Sequence, residues 1–135
     1  MTWVKYKGVM VYNPKRKELR KTRKEEQWWA ICEVDYGLAA FYRHMVFKRF
    51  GLQLQPTAWK PHITVLDGRK PVKQEFQKFW KKYDGQKIEF EYSVDVEQHW
   101  KFWVLPVRSK KLEDIRKELG FYNDYPLHLT FGRML

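Results

Sequence analysis

The cleanest alternation in the chain lies over residues 87–96, where Ile88, Phe90, Tyr92, Val94 and Val96 are separated by Glu89, Glu91, Ser93 and Asp95. Successive side chains of a strand point to opposite faces, so this stretch predicts a half-exposed antiparallel strand. Residues 3–12 predict a first strand, ended by Asn13 and Pro14, and residues 28–36 predict a second. A helix is predicted over residues 35–50, with Leu38, Phe41, Tyr42 and Met45 on one face and Gly51 as its stop. Another is predicted over residues 72–83, where Val72, Phe76, Phe79, Trp80 and Tyr83 keep helical spacing between Pro71 and Gly85. Strands follow at residues 62–66 (closed by Asp67 and Gly68) and 100–107. A third helix spans 110–119, with Ser109 as N-cap and Gly120 at its end, and a last strand carries His128 and Thr130.

The order strand, strand, helix, strand therefore occurs twice, with the 72–83 helix joining the halves. A duplicated ββαβ unit would relate the halves by a pseudo-two-fold axis and face them across a groove. At 135 residues the chain reads as one domain, 1–135, long enough to bury a core without staples. No stretch has the apolar length of a membrane span, and the N-terminal residues lack the apolar segment of a secretory signal. The lone Cys32 cannot form an internal disulfide, which points to a reducing cytoplasm. Neither zinc-ligand spacing nor an acidic calcium loop is present in the sequence, so no metal or other cofactor is expected.

Charge adds a partner class. The formal net charge is +11, and residues 15–24 (KRKELRKTRK) hold seven basic residues against one acid. Such a run reads either as a solvated loop or as an electropositive lip that attracts a nucleotide or RNA.

The candidate chemistry sits in a pattern that appears twice. Pro61-His62-Ile63-Thr64-Val65 and Leu127-His128-Leu129-Thr130-Phe131 each place histidine and threonine on one face of a strand and apolar residues on the other. The chain has four His and five Thr, and chance gives two such pairs in roughly one chain in a hundred. A single His-x-Thr strand reads as a core histidine bonded to a backbone carbonyl; the pair reads as one cleft with two imidazoles and two hydroxyls. An unperturbed imidazole titrates at about 6.5, so two of them can act as base and acid near neutral pH. Thr64 and Thr130 would then donate to the non-bridging oxygens of a phosphodiester. His44 and His99 have no threonine two residues on and read as structural or surface residues. The Glu89, Glu91 and Asp95 row reads as a solvated strand face rather than as paired glycosidase carboxylates.

Paired His-x-Thr strands about half a chain apart resemble the 2H phosphoesterase superfamily. The stretches 83–86, 91–93 and 115–120 further resemble its small phage branch, which degrades the cyclic oligonucleotide messengers of bacterial CBASS immunity. The resemblance implies an α+β fold of two pseudo-symmetric ββαβ lobes, with antiparallel sheets around a central cleft. It implies a phosphodiesterase that needs no metal, with His62, Thr64, His128 and Thr130 at the catalytic positions. For a phage protein it also implies the host cytoplasm. Substrate recognition would come from rings that stack bases and cations that meet phosphates. Tyr12, beside the basic run, is the first choice for stacking; Trp59, Lys60 and Arg133, close to the two motifs, are the others. The competing reading of each is a core ring or a solvated cation. Two alternatives stay open: the same chemistry on RNA ends (2′,3′-cyclic phosphates or 2′,5′ linkages), and a basic nucleic-acid-binding module without catalysis.

Overall fold

In the computed structural model, which describes residues 2–14, 28–71, 73–122 and 125–135, strand is the commonest regular structure. The elements are β1 (Trp3–Tyr12), β2 (Trp29–Glu33), α1 (Tyr36–Phe50), β3 (His62–Asp67), α2 (Gln74–Gln77), β4 (Lys87–Ser93), β5 (Glu97–His99), β6 (Phe102–Arg108), α3 (Lys110–Glu118) and β7 (His128–Arg133). All pairings are antiparallel, in the order β4-β1-β2-β3-β7-β6-β5. A further pairing of β4 with β6, at Glu91↔Arg108 and Tyr92↔Val107, closes six of the strands into a ring and leaves β5 as a hairpin arm on β6.

That closure corrects the two-lobed α+β expectation. Two ββαβ lobes would each carry their own sheet, whereas here one sheet runs through both halves and closes as a six-stranded antiparallel barrel with few helices. β1 is long enough to take β2 at residues 9–12 and β4 at residues 3–9, and so it stitches the halves together. A closed ring also leaves fewer exposed strand edges for other chains to pair with.

Local signals explain the helices. The Asp35 carboxylate accepts from Leu38 N at 3.0 Å and from the Tyr6 hydroxyl, and Gly51 ends α1 in the left-handed region at φ 70. The Tyr6 bond holds the Asp35 carboxyl below the ordinary carboxylate range. The 72–83 helix is cut to one turn. Its first position lies outside the described residues, and beyond Gln77 the backbone bonds run i to i+3, from Phe79 N to Phe76 O and from Trp80 N to Gln77 O. Lys81 at φ 66 then blocks continuation. The 87–96 strand stops at Ser93, which is buried and accepts from Asp95 N at 3.1 Å instead of facing solvent.

One core binds these pieces. Leu38, Ala39 and Val46 of α1 and Leu112 and Ile115 of α3 cluster with Met10, Cys32, Ile63, Val65, Leu105, Leu129 and Phe131 from the strands. Burial pushes the Cys32 thiol up to about 12, which makes it an inert core group. The helices thus cover the face of β3 and β7 that carries Ile63, Val65, Leu129 and Phe131, and the histidines occupy the other face. The strand seam at Gly8 is tight: a Cβ there would lie 2.5 Å from Cys32 Sγ and 2.6 Å from Glu33 O. Gly8→Ala is therefore expected to lower stability by about 1–3 kcal/mol, because a backbone carbonyl must move. Urea unfolding monitored by tryptophan fluorescence checks this, and an unchanged midpoint would contradict it.

Candidate active site

β3 and β7 share one recorded residue pair, Ile63↔Leu129. Extending that antiparallel register by one residue each way sets His62 opposite Thr130 and Thr64 opposite His128. The two motifs are thus related by a local two-fold at the Ile63–Leu129 pair. Their histidines lie on a diagonal, where neighbours on an antiparallel pair are spaced about 7–8 Å, and further apart where strands splay. All four side chains are half-buried and line one cleft of ≈ 570 Å³ with Trp29, Thr57, Ala58, Trp59, Phe102 and Arg133. A volume of that order suits a small-molecule or nucleotide ligand.

Both imidazoles are held in the same way. His62 Nδ1 meets Lys60 O at 2.7 Å, and His128 Nδ1 meets Pro126 O at 3.3 Å. In each case the partner is the carbonyl two residues upstream. A carbonyl only accepts, so each Nδ1 must carry the proton, which makes Nε2 the acceptor nitrogen of each neutral ring. The carbonyl bond expected of a structural histidine is present at both rings, but neither ring is a core residue: both are half-buried and line one cleft.

The strands beside the motifs complete the surface. Ile31 opposes Thr64 and Val104 opposes Thr130, which puts two buried aliphatic side chains on the same face as the hydroxyls. Across the order β2-β3-β7-β6, the cleft thus runs from Trp29, through the two His-x-Thr pairs, to Phe102. Gly68, at φ 88, leaves room for the Trp29 indole, since a Cβ there would lie 2.8 Å from its Nε1. The segment before β3 is pinned to the end of β7. Gln55 and Arg133 exchange both backbone bonds at 2.8 and 3.0 Å, Arg133 Nε donates to Pro56 O at 3.3 Å, and Thr57 Oγ1 donates to Trp59 O at 2.9 Å. This brings Trp59 and Arg133 to the cleft, as their positions near the motifs predicted.

The other two recognition candidates fall elsewhere. Tyr12 is a core residue, its ring edge-on to Trp80 at 4.9 Å and 5% exposed, because it shares the inward face of β1 with Met10. It cannot stack a base from there. Lys60 does not line the cleft; its ammonium lies 3.7 Å from Glu33 and over the Tyr36 ring, and its contribution is the carbonyl that holds His62. The basic run at 15–24 lies outside the described residues. His44 is exposed on α1, as a surface residue. His99 is exposed too, yet its ring reaches His128 at a centroid distance of 6.1 Å while its Nε2 meets Glu97 Oε1 at 3.1 Å. Trp29 and Phe102 were not anticipated. Their place depends on which strands flank β3 and β7, a long-range fact that no local pattern encodes.

Arg116 sets the spacing of the two motifs from the core side. It is buried, and its guanidinium donates to Val65 O at 2.9 Å and Thr64 O at 3.4 Å on β3, and to Tyr125 O at 2.8 Å shortly before β7. Arg43 does similar duty on β7, donating to Phe131 O at 3.0 Å, with burial holding its guanidinium below the usual arginine value. Among the described residues, no group of three or more His, Cys, Asp or Glu side chains could hold a metal ion, and no helix is long and apolar enough to cross a membrane. No protein-family model, curated protein or solved structure matches the chain.

Arg116→Met and Arg116→Lys are both expected to lower stability by about 2–3 kcal/mol, since carbonyls lose their donors and an ammonium cannot fork between β3 and the segment before β7. Chemical denaturation of both variants checks this. Full rescue by lysine would show that charge, rather than the fork, holds the seam.

Proposed function

We propose that the protein is a phosphodiesterase of the two-histidine type that cleaves 3′–5′ linkages of cyclic oligonucleotide messengers. The observation that carries the reading is the matched pair of imidazoles, each with Nδ1 on a backbone carbonyl, on adjacent strands of one cleft. It rests on that constellation and on the motif resemblance, not on likeness of fold, since the barrel differs from the two-lobed arrangement the resemblance implies.

The geometry supports the following chemistry. One Nε2 takes the proton of a ribose 2′-hydroxyl, whose oxygen attacks phosphorus. The other imidazolium gives its proton to the departing 5′-oxygen, which leaves a 2′,3′-cyclic phosphate and a free 5′-hydroxyl. The hydroxyls of Thr64 and Thr130 donate to the two non-bridging oxygens and stabilise the charge that builds there. The two-fold relation of the motifs leaves acid and base interchangeable by position. Trp29 on β2 and Phe102 on β6 stand at the two ends of the cleft's strand order, with Trp59 also lining it, which suits a phosphodiester with a base on each side. Arg133 adds a cation at the cleft, and the net charge of +11 favours capture of a polyanion. The similarity of residues 83–86, 91–93 and 115–120 to the phage branch supports a messenger substrate and a role in evading host immunity, with action in the host cytoplasm.

The proposal predicts turnover of cyclic oligonucleotides in EDTA, with a bell-shaped dependence of kcat/KM on pH from one acid and one base. His62→Ala and His128→Ala should each cost about 100-fold or more in kcat. Assays of cyclic substrates against linear RNA of matched length, read by chromatography, check both the chemistry and the substrate class. Cleavage that survives both substitutions would refute the mechanism, and faster turnover of RNA ends would move the substrate.

A further inference from the structure

The β5–β6 hairpin breaks a local rule beside the cleft. His99 pairs with Phe102, so Trp100 and Lys101 form a two-residue turn. Trp100 occupies its first central position at φ 57. A turn with positive φ at that position is the type II′ kind, which carries glycine there because a Cβ is disfavoured. A bulky aromatic residue in this region is a conformational outlier. Burial does not compensate: Trp100 is 78% exposed, the most exposed tryptophan among the described residues. Strain that packing does not explain is a pointer to function.

What surrounds the indole indicates what it takes. Its ring lies edge-on to Phe102 at 6.0 Å, and Phe102 lines the cleft. Lys101 Nζ sits 4.6 Å from the Trp100 ring centroid and 5.6 Å from that of Phe102. On the inner side of the same hairpin, His99 touches the ring of His128. The register puts Glu97, His99, Phe102 and Val104 on the face that carries Thr130 and His128, so the cleft surface continues outward past β6 onto this arm. An exposed ring with a cation over it, continuous with a cleft lined by paired imidazoles and hydroxyls, is the pattern by which single-stranded nucleic acid is tracked.

We infer that Trp100 and Lys101 form an extension subsite on the His128 side, which stacks the base and meets the phosphate of a nucleotide beyond the scissile dinucleotide. This deepens the reading above and rests on it for the orientation of the substrate. It makes the preferred ligand an oligonucleotide of at least three nucleotides, cyclic or linear, and makes a cyclic dinucleotide a poor fit to the full surface.

The test is calorimetric titration of the full chain with 2′-O-methyl oligoadenylates of two and four nucleotides at fixed ionic strength. Trp100→Gly is expected to weaken tetranucleotide binding at least tenfold, to change dinucleotide binding less than twofold, and to melt at or above the wild-type temperature because glycine suits the turn. Trp100→Phe should keep most of the tetranucleotide affinity. Equal losses on both lengths, no loss on the longer one, no binding of either by the wild type, or a lower melting temperature in Trp100→Gly would overturn the subsite. Turnover is measured separately. A Trp100-dependent gain with length but no cleavage of any nucleotide would remove the phosphodiesterase and leave the subsite standing; cleavage without that gain would do the reverse.

Discussion

The cleft depends on β3 and β7 staying side by side while their recorded ladder amounts to one residue pair, Ile63 opposite Leu129. Strands held so lightly would ordinarily drift apart, and with them the two histidines. The buried guanidinium of Arg116 supplies bonds where the ladder gives out, taking two carbonyls of β3 and one just ahead of β7. A rigid five-donor fork suits this task, since it spans β3 and the segment leading into β7 at fixed angles. On the same side, Arg43 and the core cluster hold β7 against α1. The spread of the two strands opens space for a ligand on one face, and the arginine closes the gap on the other.

From that seam the site geometry follows. An antiparallel pair with its centre at Ile63 and Leu129 repeats each motif through a local two-fold, so each histidine faces the other motif's threonine. The carbonyls of Lys60 and Pro126 then impose the same tautomer on both rings. For the proposed phosphodiester substrate, symmetry of this kind would present the same groups on both sides, and how the substrate lies would set the direction of proton flow. The flanking strands break the symmetry, with the Trp29 indole on one side and Phe102, followed by the strained hairpin at Trp100, on the other.

Much of this was legible in the sequence, and the losses have physical causes. The first strand over residues 3–12, the helix over 35–50 and its Gly51 stop rest on local signals, and each matched the structure to within a few residues. The two His-x-Thr strands were legible because a period of two fixes which residues share a face. The same period places Tyr12 with Met10 on the inward face of β1, which the appeal of a ring beside a basic run obscured. The apolar stripe of 72–83 is satisfied as well by successive i to i+3 turns as by a helix, and Lys81 decides between them. Barrel closure was not legible, because the β4–β6 and β3–β7 pairings join residues far apart in sequence and the order of elements is the same for one ring or two lobes. For the same reason Trp29, Phe102 and His99 could be named only once their neighbours were known.

The central claim is that His62 and His128 act as one site through matched tautomers, and long-range ¹H–¹⁵N correlation spectra of the imidazoles test it most directly. The account predicts that both neutral rings carry their proton on Nδ1, and that a 2′-O-methyl dinucleotide shifts the Nε2 resonances of both together. An Nε2–H tautomer at either ring, or a response confined to one of them, would contradict it.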